Sequence, residues 1–303
     1  PVFVDVEPEY FCLNIDLVEA AITPATRAII AVNLFGHPAD LVRLRTLADA
    51  KGIFLVEDNA QAVLSEDAGR LAGTIGHIGV YSLNVHKHIQ VGEGGVCVTN
   101  DAGLALRLQL IRNHGENVVD WLGVQDLTNL VGFNFRMNEI TAAMARVQLD
   151  RVDELVGRVE HVCMALSAGL SDLPGFIPPK VRSSCRHNYY MWSVQFDAEQ
   201  VGASREKFSA ALAAEGFPNS CGYVRPIYQL PMFQKRVAIG SRGFPFTAGS
   251  RNADYAMGLC PVTEQLHEKT LLQFQPVSWE VDDDQLEMLI EAVRKVHRNA
   301  RQI

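Results

Sequence analysis

Lys87 carries more chemical information than any other position of this 303-residue chain. It lies in Val80-Tyr81-Ser82-Leu83-Asn84-Val85-His86-Lys87-His88-Ile89-Gln90-Val91-Gly92-Glu93-Gly94-Gly95, between apolar, strand-like residues and a glycine-rich turn. Upstream, Val56-Glu57-Asp58 sets carboxylates at the end of an apolar run. A partly desolvated amine titrates below its ordinary range and can attack a carbonyl, so the pattern fits Schiff-base chemistry and points to pyridoxal 5'-phosphate as cofactor. Taken alone, Lys87 would read as a surface lysine. The spacing from Ser82 and the Gly-Glu-Gly-Gly turn favour the chemical role.

Such a lysine needs rigid elements on both sides, and the sequence supplies them. Ala28-Ile29-Ile30-Ala31-Val32 is a continuous apolar strand, Pro38 to Ala50 has helical spacing before a Lys51-Gly52 stop, and Ile53-Phe54-Leu55-Val56 is a second buried strand. Further strands are expected at Ile78 to Leu83 and Gly95 to Thr99, with a helix from Ala102 to Asn113. This alternation predicts an α/β fold, a mostly parallel sheet covered on both faces by helices. Ligands of such sheets bind beyond the carboxyl ends of the strands, where Asp58, Gln61 and Ser82 to Lys87 fall.

From Asn138 a long helical pattern runs to Leu170, and Leu173-Pro174-Gly175 closes it. Beyond it an alternating strand over Tyr189 to Phe196, a helix from Ser204 to Glu215 and a final helix from Asp283 to Arg298 behind an acidic cap suggest a smaller α+β domain. The expected boundaries are 1–155 for a large cofactor-binding domain and 156–303 for a small C-terminal one. Gly222 to Phe246 reads as a loop-rich stretch that could line a site. The opening Pro1-Val2-Phe3-Val4-Asp5-Val6 alternates like a strand, so the chain reads as a fragment beginning inside one.

Composition narrows the class without selecting it. With 48% hydrophobic and 20% charged residues the chain is ordinary globular protein, and a net charge of −8 without basic runs argues against nucleic acid. Six scattered cysteines without CxxC pairs suggest neither a zinc site nor a disulfide framework, and reduced thiols in the cytoplasm are the expectation. No apolar run reaches the roughly 20 residues of a membrane span, and no secretion signal opens the sequence. His86 and His88, two residues apart with no third ligand, are a weak chelate signal, so no metal is expected. Gly92-Glu93-Gly94-Gly95 lacks the GK[ST] ending of a nucleotide phosphate loop and reads as a tight turn.

Three segments in order, Glu57-Asp58-Asn59-Ala60-Gln61, Ser82 through Lys87 with Gly92-Glu93-Gly94-Gly95, and Gly132-Phe133-Asn134-Phe135-Arg136-Met137, resemble the DegT/DnrJ/StrS family of sugar aminotransferases. Cys260 to Leu266 and Ile290 to Lys295 resemble that family's closing segments, so the likeness extends over essentially the whole chain. The resemblance implies the fold type I architecture of pyridoxal phosphate enzymes. It also implies an N-terminal truncation, since the family's small-residue phosphate loop and its ring-stacking aromatic have no counterpart here.

The resemblance gives each residue a role. Lys87 is the Schiff-base lysine and then the base that moves a proton; Asp58 holds a proton on the pyridine nitrogen, its plain alternative being a helix N-cap. Gln61 lies near the ring, with a surface amide as alternative. Ser82 donates its hydroxyl to the phosphate, with a turn serine as alternative. Asn134 reaches the phosphate of the neighbouring subunit's cofactor, which implies a homodimer with shared sites, although a loop asparagine tolerating left-handed geometry is the commoner reading. His187, Asn188, Tyr189, Tyr190, Arg225 and Tyr228 lie in segments similar to the family's substrate side, and packing roles are equally open to them. The expected activity is transfer of an amino group from an amino acid, glutamate by family habit, to a keto sugar, nucleotide-linked or related. The setting would be cell-envelope polysaccharide (lipopolysaccharide included) or antibiotic sugar synthesis. Two alternatives stand beside it: a sugar dehydratase using the same cofactor, against which Lys87 argues because those relatives carry histidine there, and a non-catalytic paralogue acting as a binding subunit.

Overall fold

The computed structural model describes residues 1–116, 123–248 and 253–303. The chain forms two compact units, one of Arg27–Gly157 with Ser184–Asn188, the other of Pro1–Thr26, Arg158–Ser183 and Tyr189–Ile303. Both are discontinuous, whereas the sequence suggested a single cut after residue 155. The first 26 residues belong with the C-terminal unit, and Ser184–Asn188 returns to the first.

In the first unit a four-stranded sheet runs in the order Ala28–Val32, Phe54–Asp58, Ile78–Ser82, Gly95–Val98. The first three strands are parallel and the last is antiparallel to Ile78–Ser82. The sheet is therefore mostly parallel and flanked by helices, as the alternation of patterns implies. Helix Leu41–Lys51 buries Leu41, Leu44 and Ala48, the sheet face behind it buries Ile29, Ala31 and Leu55, and the helix stops where Gly52 adopts φ 65°. Gly52 suits that left-handed position because it has no Cβ to clash. The opposite face departs from the expectation of cover on both sides: Ile30 is 63% exposed and Phe54 50%.

The helical pattern from Asn138 resolves into two helices, Glu139–Leu149 and Val152–Leu170, broken at Asp150-Arg151. Asn138 caps the first by accepting the Thr141 N–H. The break matters to the packing, because Val152 and Val156 on the second helix bury against Leu83, Ile89 and Val91 from the segment that carries Lys87.

The second unit has an antiparallel sheet in the order Ser220–Cys221, Leu271–Phe274, Trp192–Phe196, Phe176–Ile177. It packs on Val159, Val162, Cys163, Leu166 and Leu170 of one helix and on Leu286, Val293 and Val296 of helix Asp283–Arg298. That last helix starts with a reciprocal capping box between Asp282 and Gln285. The opening residues form no strand, only a bridge between Val6 and Leu13. Their order comes instead from Asp5, whose carboxylate accepts the N–H groups of Val262 (2.8 Å) and Thr263 (2.9 Å) and the Thr263 hydroxyl (2.7 Å). Those N–H groups open helix Pro261–Gln265, so a residue more than 250 positions away caps it. Gly222 to Phe246 contains only a short 3₁₀ turn, Ile227–Gln229, and the four-residue helix Pro231–Gln234. Among the described residues no helix is long and apolar enough to cross a membrane.

Candidate active site

Lys87 sits in the loop joining the two antiparallel strands Ile78–Ser82 and Gly95–Val98, so both strand ends fix it. The loop is further cross-linked by the Leu83 N–H to Gly94 O, the Val85 N–H to Gly92 O and the Val91 N–H to Leu83 O, all at 2.9–3.0 Å. At its tip the Lys87 N–H donates to Asn84 O (2.9 Å), and the Asn84 side chain donates to Glu93 (2.8 Å). The Gly-Glu-Gly-Gly segment is thus the tight turn its composition suggests. The apolar residues around the lysine, Leu83, Ile89 and Val91, are buried, which holds the loop by packing as well as by hydrogen bonds.

A cavity of about 330 Å³ opens beside this loop, at the lower end of the roughly 300–1,000 Å³ common for small-molecule sites. Lys87, Ser82, Gln61, Asn59, His88 and Arg146 supply its polar groups, and Val63, Leu64, Tyr81, Leu83, Val96 and Val98 are among its apolar walls. Lys87, Ser82 and Gln61, singled out from sequence, are brought together here. Asp58 ends its strand without lining the cavity, yet its charge reaches Lys87. Burial holds the Lys87 ammonium below the ordinary lysine range, and the Asp58 carboxylate pulls it back up. Asp58 also accepts the Ala60 N–H at 3.0 Å, which turns the chain out of the strand. The Ser82 hydroxyl accepts the Asn84 N–H at 3.3 Å.

Asn134 is not part of this cavity. It is exposed and bridges to Asn113, beside Phe133 and Phe135, whose rings stack at 4.8 Å.

Several residues that build the site carried no such role in the sequence reading. Glu57, fully buried, accepts the N–H groups of Gly73, Ile75 and Gly76 and so clamps the 73–76 turn beneath the sheet end. Burial raises its carboxyl, while those three N–H groups oppose the rise. The Tyr81 hydroxyl donates to Ala72 O at 2.6 Å, and burial, with the Glu57 charge adding, pushes that phenol to about 12. Asn59 accepts from the buried Asn33 side chain and donates to Glu57 O, and Asn33 in turn donates its N–H to Asp58 O at 3.0 Å. Gln61 uses its side-chain oxygen on the Phe35 N–H (2.7 Å), at a residue with φ 61°. Its amide is thereby oriented from behind the cavity wall. His88, 3% exposed, is held neutral, its pKa lowered to about 4 by burial. Burial likewise drives His187 well below the imidazole range, and its ring meets that of His37 edge-on at 5.4 Å. Only tertiary contact could reveal these pairings, since the partners lie as far apart in sequence as His37 and His187.

The donor set fits the cofactor that the sequence suggested. A depressed amine, a carboxylate whose charge acts on it, a hydroxyl, two amides and an apolar wall are what a pyridine aldehyde bearing a phosphate would require. Among the described residues no three His, Cys, Asp or Glu side chains converge to hold a metal ion.

A mostly parallel α/β sheet that sets a partly desolvated lysine beyond its strand ends is an arrangement open to Schiff-base chemistry. Residues 1–270 match the DegT/DnrJ/EryC1/StrS aminotransferase family, and the chain belongs to that family. It is 34% identical over 98% of its length to an L-glutamine:2-deoxy-scyllo-inosose aminotransferase of Streptomyces kanamyceticus, of which it covers 70%. It is 32% identical over 98% of its length to a dTDP-3-amino-3,4,6-trideoxy-alpha-D-glucose transaminase of Micromonospora megalomicea subsp. nigra, covering 72% of that chain. Among solved structures it resembles DesI in the presence of its TDP-sugar product, with a TM-score of 0.81 and 28% identity over all of this chain and 70% of that one. Relatives that act on sugars and cyclitols thus surround it.

Proposed function

We propose that this protein is a pyridoxal phosphate-dependent aminotransferase that moves an amino group from an amino acid to a keto sugar, nucleotide-linked or of the cyclitol type. The observation that carries the proposal is the half-buried, depressed Lys87 sharing one cavity with Ser82 and Gln61 while within the field of Asp58. Glutamate or glutamine is the donor we favour, since glutamine appears in the name of one relative. The pathway would be one that builds amino sugars for cell-envelope polysaccharides or antibiotics.

Pyridoxal phosphate supplies an electron sink for the carbanion that amino-group transfer requires. Lys87 would hold the cofactor's aldehyde group through its Nζ, and its amine when free would serve as the base that holds or moves a proton. Burial favours its neutral form, and the Asp58 carboxylate opposes that. Asp58 is also the group to hold a proton at the pyridine nitrogen. Ser82 donates its hydroxyl to the phosphate, and the amides of Asn59 and Gln61 present fixed polar edges to the ring side of the cavity. Leu83, Val96 and Val98 exclude water from it.

A second copy would complete the site. Phe135 is 65% exposed, Ile140 76% and Val147 62%, and helix Glu139–Leu149 buries none of its residues. Exposed apolar side chains gathered on one helix support the reading of an interface there. Its proximity in sequence to Asn134 supports the reading that Asn134 reaches the partner's phosphate.

A spectrum tests the proposal. Pyridoxal phosphate added to the protein should give a visible absorption band that Lys87→Ala lacks, and glutamate or glutamine should bleach it. Absence of the band would refute catalysis by this chain and favour a binding role; a band indifferent to every amino acid would refute transamination.

A further inference from the structure

Ser184–Asn188 belongs to the unit that holds the cavity, although the residues on either side of it in sequence belong to the other. Its first part is an edge: Cys185 and Arg186 pair with Asp67 and Glu66, and the Ala68 N–H donates to Ser184 O at 2.9 Å. Its last part is buried, with Asn188 0% exposed. The Asn188 N–H donates to Gly36 O (3.3 Å), and its side-chain amide donates to Gln61 O (3.0 Å) and Val63 O (2.7 Å). The main chain of Asn188 also hydrogen-bonds the His88 ring. One residue therefore ties together the turn at Gly36, the loop bearing Gln61 and the loop bearing Lys87.

Two of those three segments contribute to the cavity wall, one through Gln61, Val63 and Leu64 and the other through Lys87, His88 and Ile89. Asn188 itself lines none of it. Both N–H bonds of its amide are engaged, and removing them would leave two inward-facing carbonyls to find other donors. No other amino acid of similar size offers two donors from one short stem.

We infer that Asn188 is a positioning residue that straps the Gln61 loop to the Lys87 loop and so sets where the lysine amine stands in the cavity. The inference rests on the transaminase reading for its functional meaning, while the strap itself is a property of the free protein.

Hydrogen–deuterium exchange on the free protein, paired with titration of pyridoxal phosphate, tests it. In Asn188→Ala, amides of 59–64, whose Gln61 and Val63 carbonyls lose the side-chain donor, should exchange at least about tenfold faster, while those of 160–170 and 192–196 keep their wild-type rates. The concentration of pyridoxal phosphate that half-fills the Lys87 band should rise about tenfold, a change of about 1.4 kcal/mol. Should the alanine variant not fold, Asn188→Ser, whose hydroxyl offers one donor instead of two, is read in the same way. Unchanged exchange at 59–64 in a folded variant overturns the strap, and faster exchange with unchanged cofactor affinity overturns its positioning role. Wild-type protein with no band refutes the transaminase reading instead, and the exchange rates then decide the strap on their own.

Discussion

Acid should loosen this protein through His88 in a way that one substitution can isolate. The ring is 3% exposed, lies against the main chain of Asn188 and beside Lys87, and is held neutral with a pKa of about 4. An unfolded chain returns it to about 6.5. Between those values the unfolded state binds a proton that the folded state refuses, so stability is complete above about pH 6.5 and falls as the pH drops toward 4. At about 1.4 kcal/mol per pH unit the full loss is about 3 kcal/mol, a large share of the roughly 5–15 kcal/mol of a typical domain. Carboxylates also titrate in this range, but they are common to wild type and variant. Urea unfolding at pH 7.5, 6.5, 5.5 and 4.5 should therefore show wild type losing stability relative to His88→Gln by about 1 kcal/mol for each unit below 6.5. His187, also buried and depressed, is retained in both proteins, and His88 is only the last of the causes of its depression, behind its own burial. Parallel pH curves for the two would refute the reasoning, because they would mean that His88 charges as readily in the fold as outside it.

Other expectations follow from close contacts and exposed faces. A Cβ on Gly79 would stand 2.0 Å from Gly73 O and 2.6 Å from Gly73 Cα, so Gly79→Ala must move backbone against backbone and should lose about 3 kcal/mol, read as a drop in thermal midpoint. Asp5→Ala removes the acceptor for two N–H groups and a hydroxyl at the start of helix Pro261–Gln265 and should destabilise by about 2 kcal/mol in the same assay. Ile140→Glu places a charge on the exposed apolar helix face, and under the proposed dimer light scattering should find wild type at about twice the mass of the variant; equal masses would remove that face from the proposed interface.

Much of the cavity-bearing unit could be read from the sequence because its elements are local. Strand Ala28–Val32 and helix Ala102–Arg112 fall within a residue of where hydrophobic period and end signals put them. Lys87 was likewise singled out from residue type and setting, and Ser82 and Gln61 from their places past strand ends together with the family resemblance; the three share one cavity. The opening residues show the opposite case. Their alternating pattern suits a strand, yet with only a single bridge to Leu13 they are ordered by the Asp5 cap on a helix far along the chain. The break at Asp150-Arg151 carries no proline or glycine to announce it.

What the sequence by itself determined is the chemistry available: an amine in a desolvating frame, a carboxylate at a strand end, a hydroxyl and an amide at set spacings. Only the tertiary structure decided what holds them. The Gln61 oxygen is turned toward the Phe35 N–H, Glu57 clamps the Gly73 turn, and Asn188 joins the Gln61 loop to His88 from about 100 or more residues away. The reason is physical. Periodicity and capping act over a few residues through the backbone's own geometry, whereas a buried amide or carboxylate pairs with whichever N–H or carbonyl the packed fold presents to it.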